Sequence, residues 1–124
     1  MSKVAGVILL VDNIEQSVAF YQKLGFSVTE ERPQIATVVN LDKFWIELLH
    51  KSKVVSAEYK ADIDQQKGAG IYLQVNVSDI DAFYEAVVKK GVKPSSKPEN
   101  FPWNQREFIV VDPDGYKVAF FSVL

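Results

Sequence analysis

The sequence predicts an α+β fold made of two copies of one strand–helix–strands unit. Three observations predict it. The stretch VDNIEQSVAFYQKLGF, Val11 to Phe26, is echoed by VSDIDAFYEAVVKKGV, Val77 to Val92, with Val11 over Val77, Ile14 over Ile80 and Gly25 over Gly91 at one constant offset. A period this long within 124 residues means two copies of a supersecondary unit rather than a solenoid. Each copy also passes from an apolar run into a helical stripe that stops at glycine, and then into extended segments.

Taken in order, Val4 to Val11 is an almost continuous apolar run, as a strand buried on both sides would be. Asn13 with Gln16 has the spacing of a capping box. Ile14, Val18, Tyr21 and Leu24 form one helical stripe, and Gly25 stands where a left-handed residue ends a helix. Phe26 to Thr29, Ile35 to Leu41 and Phe44 to His50 read as strands, with a turn at Asn40 to Lys43. Lys51 to Gly70 is a polar connector with room for a helical turn. The plan then repeats: strand Ile71 to Val77, cap at Ser78 or Asp79, stripe Ile80, Phe83 and Val87, stop at Gly91. Val92 to Asn104 carries Pro94, Pro98 and Pro102 and shows no regular period. Arg106 to Val111 and Tyr116 to Val123 are strands joined by the turn Asp112-Pro113-Asp114-Gly115. We expect one domain over 1–124, with module one at about 1–52, a linker at about 53–68 and module two at about 69–124.

Composition narrows the function classes. The hydrophobic share is 48%, ordinary for a globular chain with its own core. Cysteine is absent, so disulfide frameworks and thiolate chemistry are excluded, and a reducing cytoplasm is the expected location. Net charge is −2 and the isoelectric point about 5.4, with no basic stripe for nucleic acid. No apolar run reaches the roughly 18 residues of a membrane span. The opening MSKVAGVILLVDN turns acidic too soon for a signal peptide and reads as a strand.

Two stretches carry a family resemblance: SVAFYQKLGF, Ser17 to Phe26, and PW…REF…DPDG, Pro102 to Gly115. On the doubled frame they resemble the vicinal oxygen chelate superfamily, which includes glyoxalase I, extradiol dioxygenases and bleomycin-resistance proteins. The pattern is closest to the metal-free, bleomycin-resistance-like branch, although Asn104 and Gln105 separate Trp103 from Arg106 where relatives commonly have one glycine. The resemblance implies two tandem βαβββ modules forming a curved, cleft-enclosing mixed sheet, and a homodimer, which would also cover exposed strand edges. It places the four side chains of the family's divalent metal at Gly6, Glu47, Tyr72 and Ala119. Only Glu47 is an ordinary ligand, and a catalytic divalent ion usually needs about three. His50, the sole histidine, stands three residues after Glu47 and so points to the other face of a strand. No metal and no cofactor are therefore expected.

Strand alternation gives the cleft lining. Trp45, Glu47 and Leu49 share a face with Gly6, Ile8 and Leu10, while Ile46 and Leu48 pack on a helix. In the second module Tyr72, Gln74 and Asn76 share a face with Lys117, Ala119 and Phe121. Trp103 closes over the cleft or anchors its own hairpin, and Arg106 pairs with a neighbouring carboxylate or with a ligand. The candidate ligand-binding set is Trp45, Glu47, Tyr72, Gln74, Asn76, Trp103, Arg106, Lys117 and Phe121, with Glu47 the one candidate general base. A few polar handles on an aromatic wall suit a small organic ligand. The reading is a metal-independent small-molecule binder. Open alternatives are a metal-dependent lyase, isomerase or dioxygenase, and an interaction module with an occluded cleft, so whether any reaction is catalysed stays open.

Overall fold

Backbone hydrogen bonding closes the strands into two four-stranded mixed sheets, one for each copy of the repeat. The structure is a computed structural model and describes residues 1–54 and 56–124. It divides into two units, 1–65 and 66–124, the break falling in the polar connector.

In the first unit the elements are β1 (Gly6–Val11), α1 (Ile14–Lys23), β2 (Ser27–Arg32), β3 (Ala36–Leu41) and β4 (Phe44–His50). A 3-10 turn (Lys51–Lys53) and the short α2 (Ala57–Lys60) follow. The strand order is β1-β4-β3-β2, with β1 parallel to β4 and the other pairs antiparallel. Asn13 caps α1 by accepting the Gln16 backbone N–H at 2.9 Å, one half of the expected box. The helix ends at Gly25, whose φ of +103° a side-chain-bearing residue would resist. One stripe of α1 faces the sheet, so Ser17 and Tyr21 are buried with Val39, Ile46 and Leu48. Tyr21 also meets Phe26 edge-on at 5.4 Å.

The second unit repeats the plan with β5 (Tyr72–Asn76), α3 (Ile80–Lys89), β6 (Glu99–Phe101), β7 (Gln105–Val111) and β8 (Lys117–Val123). Its order is β5-β8-β7-β6, again with the first and last strands parallel. Asp79 is the cap of α3, its Oδ1 accepting the Ala82 N–H at 3.1 Å. Phe83 of α3 packs on Phe120 at 4.7 Å with its ring tilted by 42°, and Phe108 stacks on Phe120 at 5.4 Å. The turn after β7 is held by Asp112, whose Oδ1 accepts three backbone N–H groups, from Asp114, Gly115 and Tyr116.

Two expectations are adjusted, and the connector's room for a helical turn is used. The proline-bearing stretch contains a strand, β6, because Glu99, Asn100 and Phe101 pair with Glu107, Arg106 and Gln105. The strand β2 runs on to Arg32, past a register shift between Val28 and Glu30. The connector holds the 3-10 turn and α2. No helix among the described residues is long and apolar enough to cross a membrane.

Candidate functional site

Each sheet has one face packed on its own helix and one face turned away, called here the open face. In the first unit β1, β4 and β3 run in register, so Ile8, Glu47 and Val38 form one cross-strand row and Gly6, Trp45 and Asn40 the next. The alternation read from the sequence holds: Ile46 and Leu48 are fully buried, whereas Trp45 is 42% exposed and Ile8 is exposed. Trp45 is thus a surface of the open face and not core. Gly6 lies directly opposite Trp45, whose backbone carbonyl and indole fill the space above it.

Glu47 is neither enclosed nor free. Its side chain is 24% exposed, and Arg32 Nη2 reaches its Oε1 at 3.3 Å. The same Nη2 holds Glu30 at 2.9 Å, so the three charges form a bridge across β4, β3 and β2. A lone buried carboxylate, the premise for Glu47 as general base, is not what the structure presents. Arg32 was missed in the sequence because the charged run after Thr29 resembles a loop; its only signal is the shared parity of Glu30 and Arg32 on an extended segment.

In the second unit Tyr72 pairs with Lys117, Gln74 with Ala119 and Asn76 with Phe121. All six stand on the open face. Tyr72 is half exposed, and the Lys117 ammonium sits 5.0 Å from its ring centroid. Gln74 and Asn76 are exposed, where polar side chains cost nothing to hydrate. Ala119 between them is buried and offers no donor atom.

Arg106 does not belong to this set. It pairs with Ser122 and shares the parity of Phe108 and Val110, so it stands on the helix-packed face. There its Nε and Nη2 donate to both Asp81 carboxylate oxygens at 3.0 to 3.3 Å, and Nη1 donates to Asn100 Oδ1 at 3.0 Å. The hydrogen bond to Asp81 and then its charge raise the guanidinium pKa, against some desolvation. The partner is thus a carboxylate of α3, far from Arg106 in sequence. Trp103 is 58% exposed and stacks on Phe101 at 4.9 Å, an anchor on its own hairpin. His50 stands on the face opposite Glu47, with Nδ1 accepting from Ser52 N–H at 3.1 Å. No group of three or more metal-ligating side chains occurs among the described residues.

A family model described as the Glyoxalase/Bleomycin resistance protein/Dioxygenase superfamily matches residues 3–120. The chain belongs to that superfamily. Within it, the chain is 29% identical over 128 residues to the uncharacterized protein YraH of Bacillus subtilis strain 168, covering 98% of this chain and 99% of that one. It is 27% identical over 122 residues to the bleomycin resistance protein of Geobacillus stearothermophilus, covering 92% of each. A glyoxalase/bleomycin resistance protein/dioxygenase from Nocardioides superposes with a TM-score of 0.84 at 23% identity, covering 100% of this chain and 85% of that one. A lactoylglutathione lyase from Agrobacterium tumefaciens gives 0.75 at 15%, covering 98% and 94%. At those identities the two structures show a shared fold.

For a superfamily member the test of a divalent metal is the chemistry of its donors. Gly6 and Ala119 have none, Tyr72 is half exposed beneath an ammonium, and Glu47 already pairs with Arg32. These residues do not fit the ion.

Proposed function

We propose that this superfamily member is a metal-independent binder of small organic molecules. The observation that carries the reading is the state of Glu47, the single carboxylate among the four family metal positions, which is paired with a guanidinium 3.3 Å away. The recognition surfaces are the open faces. In the first unit Trp45 and Ile8 supply flat and apolar contact, with Glu47 and Arg32 as charged handles. In the second, Tyr72 and Phe121 are the flat surfaces, and Lys117, Gln74 and Asn76 the polar ones. Mostly apolar walls with few polar groups suit planar ligands of drug size. Trp103 is a further aromatic contact beyond the sheet, stacked on Phe101.

A homodimer in the cytoplasm completes the proposal. The edge strands β1 and β5 carry exposed Ile8 and Tyr72, with exposed Ile71 just before β5, and such edges call for cover. Sedimentation at micromolar concentration returns twice the chain mass if the dimer forms.

The deciding experiment titrates the tag-free protein with zinc, nickel, manganese and iron(II) by calorimetry, and separately follows tryptophan emission during titration with proflavine and with riboflavin. No stoichiometric metal, with saturable quenching that Trp45→Ala abolishes, is the expected result. One metal per chain, lost in Glu47→Gln, overturns it.

A further inference from the structure

We propose a second ligand site on the helix-packed side of the first unit, shaped for a zwitterion of dipeptide size. A groove of about 870 Å³ opens there, between α1, the β2–β3 hairpin and the end of β4. That volume is within the range of small-ligand pockets, roughly 300–1,000 Å³. The site is distinct from the open face: His50, which lines it, has the opposite parity to Glu47 on β4.

Thr37 marks the floor. It is 93% buried, being 7% exposed, yet its hydroxyl has no hydrogen-bond partner among the described residues and it lines the groove. No buried side-chain oxygen among the described residues lacks a hydrogen-bond partner, so this hydroxyl is not sealed in the core but meets the groove. Here it is an open donor and acceptor for whatever enters.

Charge is distributed around that hydroxyl by the strand register. Glu31 of β2 stands directly opposite Thr37 of β3. On the other side of β3, Thr37 faces Leu48, and His50 follows two residues along the same face of β4. The His50 backbone N–H bonds to Ile35 O at 2.8 Å, which fixes the residue beside the hairpin. Nδ1 is engaged by Ser52, whose backbone N–H lies at 3.1 Å and hydroxyl at 2.7 Å, so Nε2 is the ring nitrogen left for a ligand. Lys53 lines the groove next to it, and Glu15 and Val18 line it from α1. Glu15, Glu31 and Lys53 form no ion pair among the described residues.

Glu31 on β2 and His50 on β4 are thus two strand spacings apart, roughly 10 Å between backbones. A free α-amino acid is too short to bridge them, whereas the termini of a dipeptide are suitably separated. Its ammonium goes to Glu31, its carboxylate to Lys53 and His50 Nε2, its peptide group to Thr37, and an apolar side chain to Val18.

The probe is glycyl-L-leucine, with N-acetyl-glycyl-leucine and glycyl-leucinamide as versions lacking one charge. Titrations are followed by heteronuclear NMR at the His50 ring and the Thr37 amide. Saturable shifts at both are expected, with each single-charge analogue about tenfold weaker. Glu31→Gln should erase the preference over the acetylated peptide, and Lys53→Met the preference over the amide. Thr37→Val, which keeps the shape of a β-branched strand residue, should weaken the dipeptide while leaving the amide spectrum dispersed. Absence of saturable shifts, equal affinity for all three probes, or shifts at Trp45 and Tyr72 instead would overturn the proposal.

Discussion

A Cβ placed on Gly6 would lie 2.5 Å from Trp45 Cδ1 and in collision with the Trp45 carbonyl oxygen. The two residues are direct partners across the parallel β1–β4 pair. The contact explains a glycine inside a strand, where it otherwise weakens the ladder. It also means that any side chain at position 6, a metal ligand included, would have to displace the indole.

Gly6→Ala should therefore destabilise the fold by about 1–3 kcal/mol, the range for overpacking a filled site. Urea denaturation checks this as a lower midpoint at unchanged slope. Trp45→Ala beneath the same substitution restores only part of the loss, because the carbonyl remains. An unshifted midpoint for Gly6→Ala would remove the contact from the account.

Asp112 is 4% exposed and its single oxygen Oδ1 serves three backbone N–H groups. Asp112→Ala removes the acceptor of the Asp114 and Tyr116 N–H groups, Gly115 N–H keeping the Asp112 carbonyl at 3.1 Å, and should cost about 2–3 kcal/mol. Asp112→Asn keeps an acceptor and should cost less. Thermal unfolding of the two variants side by side decides it; equal losses would mean that charge, and not the acceptor, holds the turn.

The tie between Arg106 and Asp81 joins β7 to α3. Folding raises the guanidinium pKa, so its contribution is fully present below the ordinary arginine value and is lost only as pH rises through the still higher folded value. From neutral pH up to the limit of ordinary alkaline buffers, the stability difference between wild type and Arg106→Met should stay constant. Added salt should shrink it, because the pair is partly exposed. A difference that grows with salt would contradict an ionic tie.

Phe120 is fully buried between Phe83 and Phe108. Phe120→Ala should cost about 3–5 kcal/mol through lost burial and the cavity left behind. Loss of near-ultraviolet circular dichroism at a temperature where wild type is folded is the readout. A cost under 1 kcal/mol would place the core of this unit elsewhere.

The doubled plan, the caps at Asn13 and Asp79, the stops at Gly25 and Gly91 and the facing of β4, β5 and β8 were legible, because each has a local cause: a period, a polar cap, a residue tolerant of positive φ. The strand β6 was not. Three residues between prolines have no period, and only pairing with β7 makes them a strand. Arg106 was legible in principle, since it alternates with the apolar Phe108 and Val110, yet its partner Asp81 is 25 residues away and sends no local signal. The Arg32 bridge failed for the same reason: it spans three strands, and sequence spacing says nothing of contacts across a sheet.

All strand pairings among the described residues fall inside one unit or the other, and the last strand of the first sheet ends at His50. On a ribosome, every hydrogen-bonding partner of that sheet has been made before the second copy of the repeat is translated. At roughly 5–20 residues per second, several seconds separate completion of the two sheets. The nascent chain therefore has time to bury Tyr21, Ile46 and Leu48 before the similar helix stripe at Ile80 and Val87 emerges to compete for the same partners. Duplication, which invites mispairing between look-alike halves, is here offset by the order in which they are made.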